Sequence, residues 1–156
     1  MSEPIRVLFV CLGNICRSPT AEATFRAEVE RRGLMHRFEI DSCGTGGWHA
    51  GEAAHPETRA AAKRAGVEIT HRARQLLAED FDSFDHLLVM DHSNHKNTLA
   101  LVHSDAQRAK VTLFRTHDPE AQGSLEVPDP YYTGTFDEVF EMCARTSRAL
   151  LDDLLR

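Results

Sequence analysis

Two residue types suited to phosphoryl chemistry, Cys11 and Arg17, stand six positions apart near the start of the chain. They lie in a segment that reads CLGNICRS and ends at Ser18. An apolar run at residues 5–10 precedes this segment, and Pro19 and a helical pattern follow it. The pattern predicts a strand, a tight loop and a helix. Such a loop points its backbone N–H groups at one spot, where the helix dipole also favours an anion.

A thiol and a guanidinium would flank this anion site. Arg17 offers a planar set of five N–H donors, which suits the oxygens of a phosphate. A positive charge at a helix start opposes the dipole, so an anionic partner for Arg17 is expected. Close to Arg17 and to a helix N-terminus, Cys11 is expected to be ionised at neutral pH. Its thiolate could then attack phosphorus without a histidine base.

The loop at residues 10–19, hereafter the anion loop, resembles the signature of the low-molecular-weight protein tyrosine phosphatases. A second stretch supports the resemblance, because Asp129-Pro130-Tyr131-Tyr132 is similar to the late Asp-Pro motif of that family. The resemblance implies that Cys11 is the nucleophile, that Arg17 binds the phosphoryl oxygens, and that Asp129 is the general acid and base. It also implies phosphotyrosine-containing proteins as substrates.

Asp129 lies between Pro128 and Pro130, which restrict the backbone on both sides and hold Asp129 itself in an extended conformation. Such a restraint suits a proton donor that must stay in one place. As a general acid, the carboxyl must carry its proton while the phosphate ester is bound.

The resemblance implies further roles around the loop. The residues implied to bind the phosphate or the substrate are Leu12, Gly13, Asn14, Ile15, Cys16, Ser18, Trp48, Tyr131 and Tyr132. Those expected to support the loop are Ser42, His71 and Asp91; for Asp91 the sequence leaves open a contact with Arg17 or a cap on the next helix. Ser18 is expected both to cap the first helix and to donate to the Cys11 thiolate. Cys16 is expected to form a reversible disulfide with Cys11, as the equivalent pair does in the family.

Aromatic walls beside the loop predict which phosphoester fits. Trp48, Tyr131 and Tyr132 would make a slot for a flat ring, so phosphotyrosine and aryl phosphates are expected to be preferred over phosphoserine.

Strand and helix patterns alternate along the chain and predict a three-layer α/β fold with a parallel sheet covered on both faces. The predicted strands are residues 5–10, 38–42, 86–90 and 111–114. The first predicted helix has Ser18 as its cap and Pro19 as its first residue. Further helices are expected from Pro56 to Gly66, from a cap at Ser93 to Val102, and over residues 136–154. A long loop is expected at 115–134. The family resemblance implies a flavodoxin-like strand order of 2-1-3-4, which places the anion loop at the switch point of the sheet.

Composition sets outer limits on the function. The 156 residues suit a single domain spanning 1–156, and the net charge of −6 argues against nucleic-acid or acidic-membrane partners. No apolar run approaches the ~20 residues of a membrane span, and the N-terminus lacks a basic start, so a cytoplasmic location is expected. Four scattered cysteines do not suggest a disulfide scaffold, and Cys43 and Cys143 are expected to be buried. We expect a monomer, with a weak dimer left open.

Three other functions fit an anion loop with a cysteine or a glycine-containing turn less well. An arsenate reductase of the same fold needs two further thiols near residues 80–90, where this chain has none. A thiol redox sensor or phosphate-binding module, with Cys11 and Cys16 merely paired, would leave Asp129 without a role. A P-loop nucleotide hydrolase is excluded because the loop lacks the motif Gly-x4-Gly-Lys-Ser/Thr. No cofactor or metal is expected, since Arg17 and the loop amides supply positive charge and His92 and His95 lack zinc-site spacing.

Overall fold

A four-stranded parallel sheet forms the centre of the molecule in the computed structural model, which describes residues 3–156. The strands are β1 (Ile5–Cys11), β2 (Phe38–Gly44), β3 (His86–Val89) and β4 (Val111–Leu113), in the order β2-β1-β3-β4. The predicted order is therefore confirmed. β1 pairs with β2 along its whole length and with β3 from Val7 to Val10. The anion loop thus leaves the carboxyl end of a central strand.

The helices cover both faces of the sheet. Within the described residues they are α1 (Arg17–Arg31), α2 (Pro56–Arg64), α3 (Asp80–Ser83), α4 (His92–Leu99), α5 (Asp105–Ala109), α6 (Pro130–Thr133) and α7 (Phe136–Leu154). Short 3-10 turns span Met35–Arg37 and Phe114–His117. The segment predicted as a long loop therefore contains a 3-10 turn and α6. Elements of four or five residues are too short to show a hydrophobic period.

Alternate residues of β1 supply two separate cores. Val7 and Phe9 face α1 and α7, where Phe9 contacts the ring of Phe25 with centroids 5.7 Å apart. Leu8 and Val10 face the opposite side and pack with residues of β3 and α3. All four β1 side chains are fully buried, as expected for a strand covered on both faces.

The predicted start of the first helix is wrong. α1 begins at Arg17, so Ser18 is its second residue rather than its cap, and Pro19 is its third. The hydroxyl of Ser18 is turned toward Cys11 instead, as described below. For α4, which begins at His92, the cap is Asp91 and not the alternative Ser93, and the helix ends at Leu99 rather than at the predicted Val102.

None of the helices in residues 3–156 is both long enough and apolar enough to cross a bilayer.

Candidate active site

The anion loop curls around the thiol of Cys11. Asn14 has a left-handed backbone (φ 58°), a conformation that asparagine tolerates better than most residues. This turn brings the N–H of Asn14 to 3.3 Å from Cys11 Sγ. Ser18 Oγ, from the first turn of α1, lies 2.9 Å from the same sulfur. Both groups can stabilise a negative charge on the sulfur.

The side chain of Asn14 holds the loop in this shape. Its Nδ2 donates to Ser18 Oγ at 2.8 Å and to Ser42 Oγ at 3.0 Å. Its Oδ1 accepts from His71 Nε2 at 2.8 Å and from the backbone N–H of Arg74 at 3.0 Å. Because Asn14 is almost fully buried, every one of these bonds replaces a bond to water. The predicted support of the loop by Ser42 and His71 therefore has a geometric basis.

A second layer of charge lies behind Ser42 and His71. Ser42 donates to Glu22 Oε1 at 2.7 Å. The Nδ1 atom of His71 lies 3.3 Å from Glu22 Oε1 and 3.4 Å from Asp41 Oδ1, so a protonated His71 pairs with both carboxylates. Glu22, Asp41 and His71 are also the one group in residues 3–156 that could jointly hold a metal ion. This group could not be recognised from the sequence, because its members come from three separate segments.

Arg17 is buried, and hydrogen bonds within the protein hold its guanidinium. Its Nη1 donates to Asp91 Oδ2 at 2.6 Å and to the carbonyl oxygen of Val127 at 3.1 Å. Within the described chain neither Nε nor Nη2 makes a hydrogen bond, so both remain available to an anion. Burial opposes the charge, but the negative charge of Cys11 and the hydrogen bond that Arg17 donates to Asp91 outweigh it, and the pKa of Arg17 is raised.

Asp91 has both of the roles that the sequence left open. Its Oδ2 accepts from Arg17, and its Oδ1 accepts from the N–H of Asn94 at 2.7 Å, which caps α4. Asp91, which follows β3 and caps α4, therefore also orients the guanidinium of Arg17.

Asp129 reaches the same site from the far end of the chain. Its backbone is extended (φ −84°, ψ 108°), as the flanking prolines predict. Its Oδ1 accepts from the N–H of Tyr131 at 3.1 Å, which caps α6, and its Oδ2 lies 3.6 Å from Arg17 Nη2. The carboxylate is one-quarter exposed, so one side of it faces the cleft.

These groups meet in a cleft of about 200 Å³. It is lined by Cys11, Leu12, Gly13, Ile15, Cys16, Arg17, Trp48, His49, Asp129, Tyr131 and Tyr132. All three predicted aromatic walls are therefore present, and they are largely exposed above the buried Cys11 and Arg17. His49 was missed, since nothing in the sequence distinguishes this histidine from its neighbours. Its Nδ1 lies 3.0 Å from Glu52 Oε2.

The other cysteines are not reactive in the same way. Burial raises the pKa of Cys16 to about 11, and the negative charges of Asp129 and Cys11 add to the effect. Burial also raises the pKa of Cys143 to about 12, and that of Cys43 well above its usual range. The expectation that Cys43 and Cys143 are buried is confirmed.

The fold and this cleft define a class of protein: a parallel α/β sheet that presents a cysteine in an anion-binding loop at its switch point, with an arginine and an aspartate beside it. Comparisons with known proteins narrow the class. The family model described as low molecular weight phosphotyrosine protein phosphatase matches residues 6–156. The low molecular weight protein-tyrosine-phosphatase of Streptomyces coelicolor is 48% identical over 149 residues, which cover 94% of this chain and 91% of that protein.

Solved structures agree with the family model. The crystal structure of YfkJ from Bacillus subtilis has a TM-score of 0.93 and 37% identity, and the match covers 99% of this chain and 96% of that one. A structure described as DARP, a Drosophila arginine phosphatase, has a TM-score of 0.89 and 27% identity, over 97% and 99% of the two chains. The chain belongs to the low molecular weight phosphotyrosine protein phosphatase family.

Proposed function

We propose that this protein hydrolyses phosphotyrosine in proteins through a phosphocysteine intermediate on Cys11. The observation that carries the proposal is that Cys11, Arg17 and Asp129 line one cleft although they come from opposite ends of the chain.

In the first step the Cys11 thiolate attacks phosphorus, so an S–P bond forms while the P–O bond to the phenol breaks. The free donors of Arg17 and the backbone N–H groups of the anion loop stabilise the equatorial oxygens. Asp129 gives its proton to the departing phenol oxygen. The donors near the sulfur, Asn14 N–H and Ser18 Oγ, favour the thiolate both before attack and when it departs again.

In the second step water attacks the phosphocysteine. Asp129, now ionised, takes a proton from that water, and the S–P bond breaks to release inorganic phosphate and the thiolate. The carboxylate therefore ends each turnover protonated and ready for the next ester.

The aromatic walls support an aryl ester as the substrate. Trp48 and Tyr131 can both contact a flat ring, and each such contact contributes about 0.5–1.5 kcal/mol beyond burial. A phosphoserine side chain is too short to gain these contacts. Phosphoarginine is a second substrate to compare, because one structural relative is described as an arginine phosphatase. A phosphoarginine would bring a guanidinium into the cleft. Among the described residues Asp129 is the one carboxylate that lines it and could pair with that guanidinium.

The test compares kcat/KM for peptides of one sequence that carry phosphotyrosine, phosphoserine or phosphoarginine. The phosphotyrosine peptide should be hydrolysed much faster than the other two. Comparable values for phosphotyrosine and phosphoserine would contradict the aromatic slot, and a preference for phosphoarginine would assign the protein to the other substrate class.

Cys11→Ser provides the matched test of the nucleophile. An alcohol is far less acidic than a thiol, so turnover should be abolished, while the loop amides should still bind phosphate. Phosphate binding can be followed by the fluorescence of Trp48, the single tryptophan of the chain. Residual activity within about tenfold of the unmodified enzyme would reject Cys11 as the nucleophile, since covalent catalysis demands a far larger loss.

A further inference from the structure

A second depression, hereafter the flanking groove, lies against the outer side of the cleft. It encloses about 510 Å³. Leu12 and Trp48 line both the cleft and the flanking groove, so the two depressions adjoin and share these side chains as a rim. Leu101, just beyond α4, also lines the groove. These three side chains are 38%, 71% and 41% exposed. Large apolar side chains exposed together beside a binding cleft are typical of a recognition surface.

The flanking groove is uncharged. None of the described side chains that line it is ionisable, although the chain as a whole carries a net charge of −6. Gly46 and Gly47 contribute to its lining, and the polar residues there are Thr45, Gln75 and Asn97. An uncharged apolar side chain therefore fits the groove better than an acidic one, which would lose hydration without gaining a cationic partner.

The wall formed by Trp48 packs against the backbone of its own loop despite its exposure. The indole packs directly over Gly46, where an added Cβ would lie only 1.8 Å from the ring. Gln75 packs in the same way over Gly47 and donates from Nε2 to the carbonyl oxygen of Thr45 at 3.1 Å. The two glycines therefore allow Trp48 and Gln75 to lie close against the backbone beside the groove.

We propose that the flanking groove is a substrate subsite that binds a large apolar, uncharged side chain close in sequence to the phosphotyrosine. The inference rests on the proposed function. With the phosphate in the anion loop and the ring against Trp48, the peptide emerges at the rim that Trp48 shares with the groove. An extended peptide advances about 3.3 Å per residue, so residues within two positions of the phosphotyrosine stay within about 7 Å of it and are the ones that we expect to meet the shared rim.

The test uses glycine-based phosphotyrosine peptides that carry a single Leu, Ala or Glu at each of the two positions before and after the phosphotyrosine. At one position or more, kcat/KM for the Leu peptide should exceed that for the Ala peptide about fivefold, as expected for burial of part of a leucine. The Glu peptide should be no better than the Ala peptide at that position.

Leu101→Asp should remove the advantage of the Leu peptide over the Ala peptide. The matched control is Leu77→Asp, because Leu77 is a similarly exposed leucine (48%) that does not line the groove; this variant should keep the advantage. Circular dichroism verifies that both variants are folded.

Equal kcat/KM for Leu and Ala peptides at every position would overturn the subsite, as would equal effects of the two substitutions. In either case hydrolysis of nitrophenyl phosphate and of the Ala peptides would leave the proposed function standing. If the protein hydrolysed none of these substrates, both the subsite and the proposed function would be overturned.

Discussion

The four cysteines illustrate how strongly position decides chemistry at the scale of single residues. Cys16, Cys43 and Cys143 have raised pKa values because burial penalises their thiolates, so they remain thiols at neutral pH. Cys11 is also buried, but the N–H of Asn14 and the hydroxyl of Ser18 lie against its sulfur. We therefore expect alkylating reagents that fit the cleft to modify Cys11 first.

Asp129→Ala should affect substrates according to their leaving groups. Phenol is a poor leaving group that needs a proton, whereas nitrophenol departs readily as an anion. We expect kcat for phenyl phosphate to fall by about 100-fold or more, and kcat for nitrophenyl phosphate to fall much less. Steady-state kinetics with the two esters measures both losses. If they were equal, Asp129 would not be the proton donor.

Cys16 should protect Cys11 from irreversible oxidation, in a pH-dependent manner. Peroxide converts a thiolate to a sulfenic acid, which a neighbouring thiolate can capture as a disulfide. Because the pKa of Cys16 is raised to about 11, its thiolate fraction, and with it the capture rate, should rise about tenfold per pH unit between pH 7 and 9. Recovery of activity with dithiothreitol after a fixed exposure to peroxide measures the protection.

The control for this prediction is Cys16→Ser, which should lose activity irreversibly at every pH because Cys11 continues to sulfinic or sulfonic acid. Equal rescue of both proteins by dithiothreitol would exclude a protective role for Cys16.

At the scale of elements, the apolar strands and the helical spacing of apolar residues in α7 could be recognised from the sequence, because burial requires apolar residues at these positions. The start of α1 could not, since Ser18-Pro19 has the usual form of a cap followed by a first-turn proline. The chain instead uses that serine hydroxyl to contact Cys11, so a functional contact replaced a local preference. Ser42 and His71 were named only through the family resemblance, because they contact Asn14 across 28 and 57 positions of sequence.

The loop between β2 and α2 offers a prediction about the cleft wall. In Gly46→Ala the new methyl group would overlap the indole of Trp48, so the ring must leave its position. Losing one aromatic contact should lower kcat/KM for phenyl phosphate about two- to tenfold. A shift in the emission of this single tryptophan should accompany the loss.

Gly47→Ala is the matched control for Gly46→Ala. The closest atom to a Cβ at Gly47 is the side-chain oxygen of Gln75, which can move aside without disturbing Trp48. This variant should keep the emission spectrum and most of the activity. If both variants behaved alike, the position of Trp48 would not depend on its packing against Gly46.

At the scale of the whole molecule, Asp118 connects the segment that carries the acid to the final helix. Its carboxylate, which is fully buried, accepts from Arg145 of α7 at 2.8 and 2.9 Å and from Arg115 at 3.0 Å. Arg115 in turn donates to the carbonyl oxygen of Glu126 at 2.9 Å. The hydrogen bonds from Arg145, with those from Glu120 N–H and Arg115, outweigh burial and lower the pKa of Asp118 from 3.8 to about 2.

This lowered pKa predicts how stability depends on pH. The ionised carboxylate stabilises the folded state above the ordinary pKa, and the stabilisation is lost as the pH falls through about 2. Asp118→Asn should therefore lower the free energy of unfolding by about 2–3 kcal/mol at pH 7. The difference from the unmodified protein should shrink between pH 4 and 2. Urea unfolding at a series of pH values measures it.

Asp137→Asn is a suitable control for Asp118→Asn, since Asp137 pairs with Arg64 at the surface, where both side chains are more than half exposed. Such a pair contributes about 0–1 kcal/mol. A loss at pH 7 as large as that of Asp118→Asn would contradict the assignment of the stabilisation to burial and paired arginines.

The order of the site residues along the chain determines when each part of the site becomes available during synthesis of the protein. The ribosome makes the anion loop first, whereas Asp129 and then α7, which packs against α1, are made late. A nascent chain that ends before Asp129 lacks the proposed proton donor, and one that ends before Phe136 lacks the helix that packs against α1. On the proposed mechanism we therefore expect phosphatase activity only after Asp129 and α7 have packed against the first part of the chain.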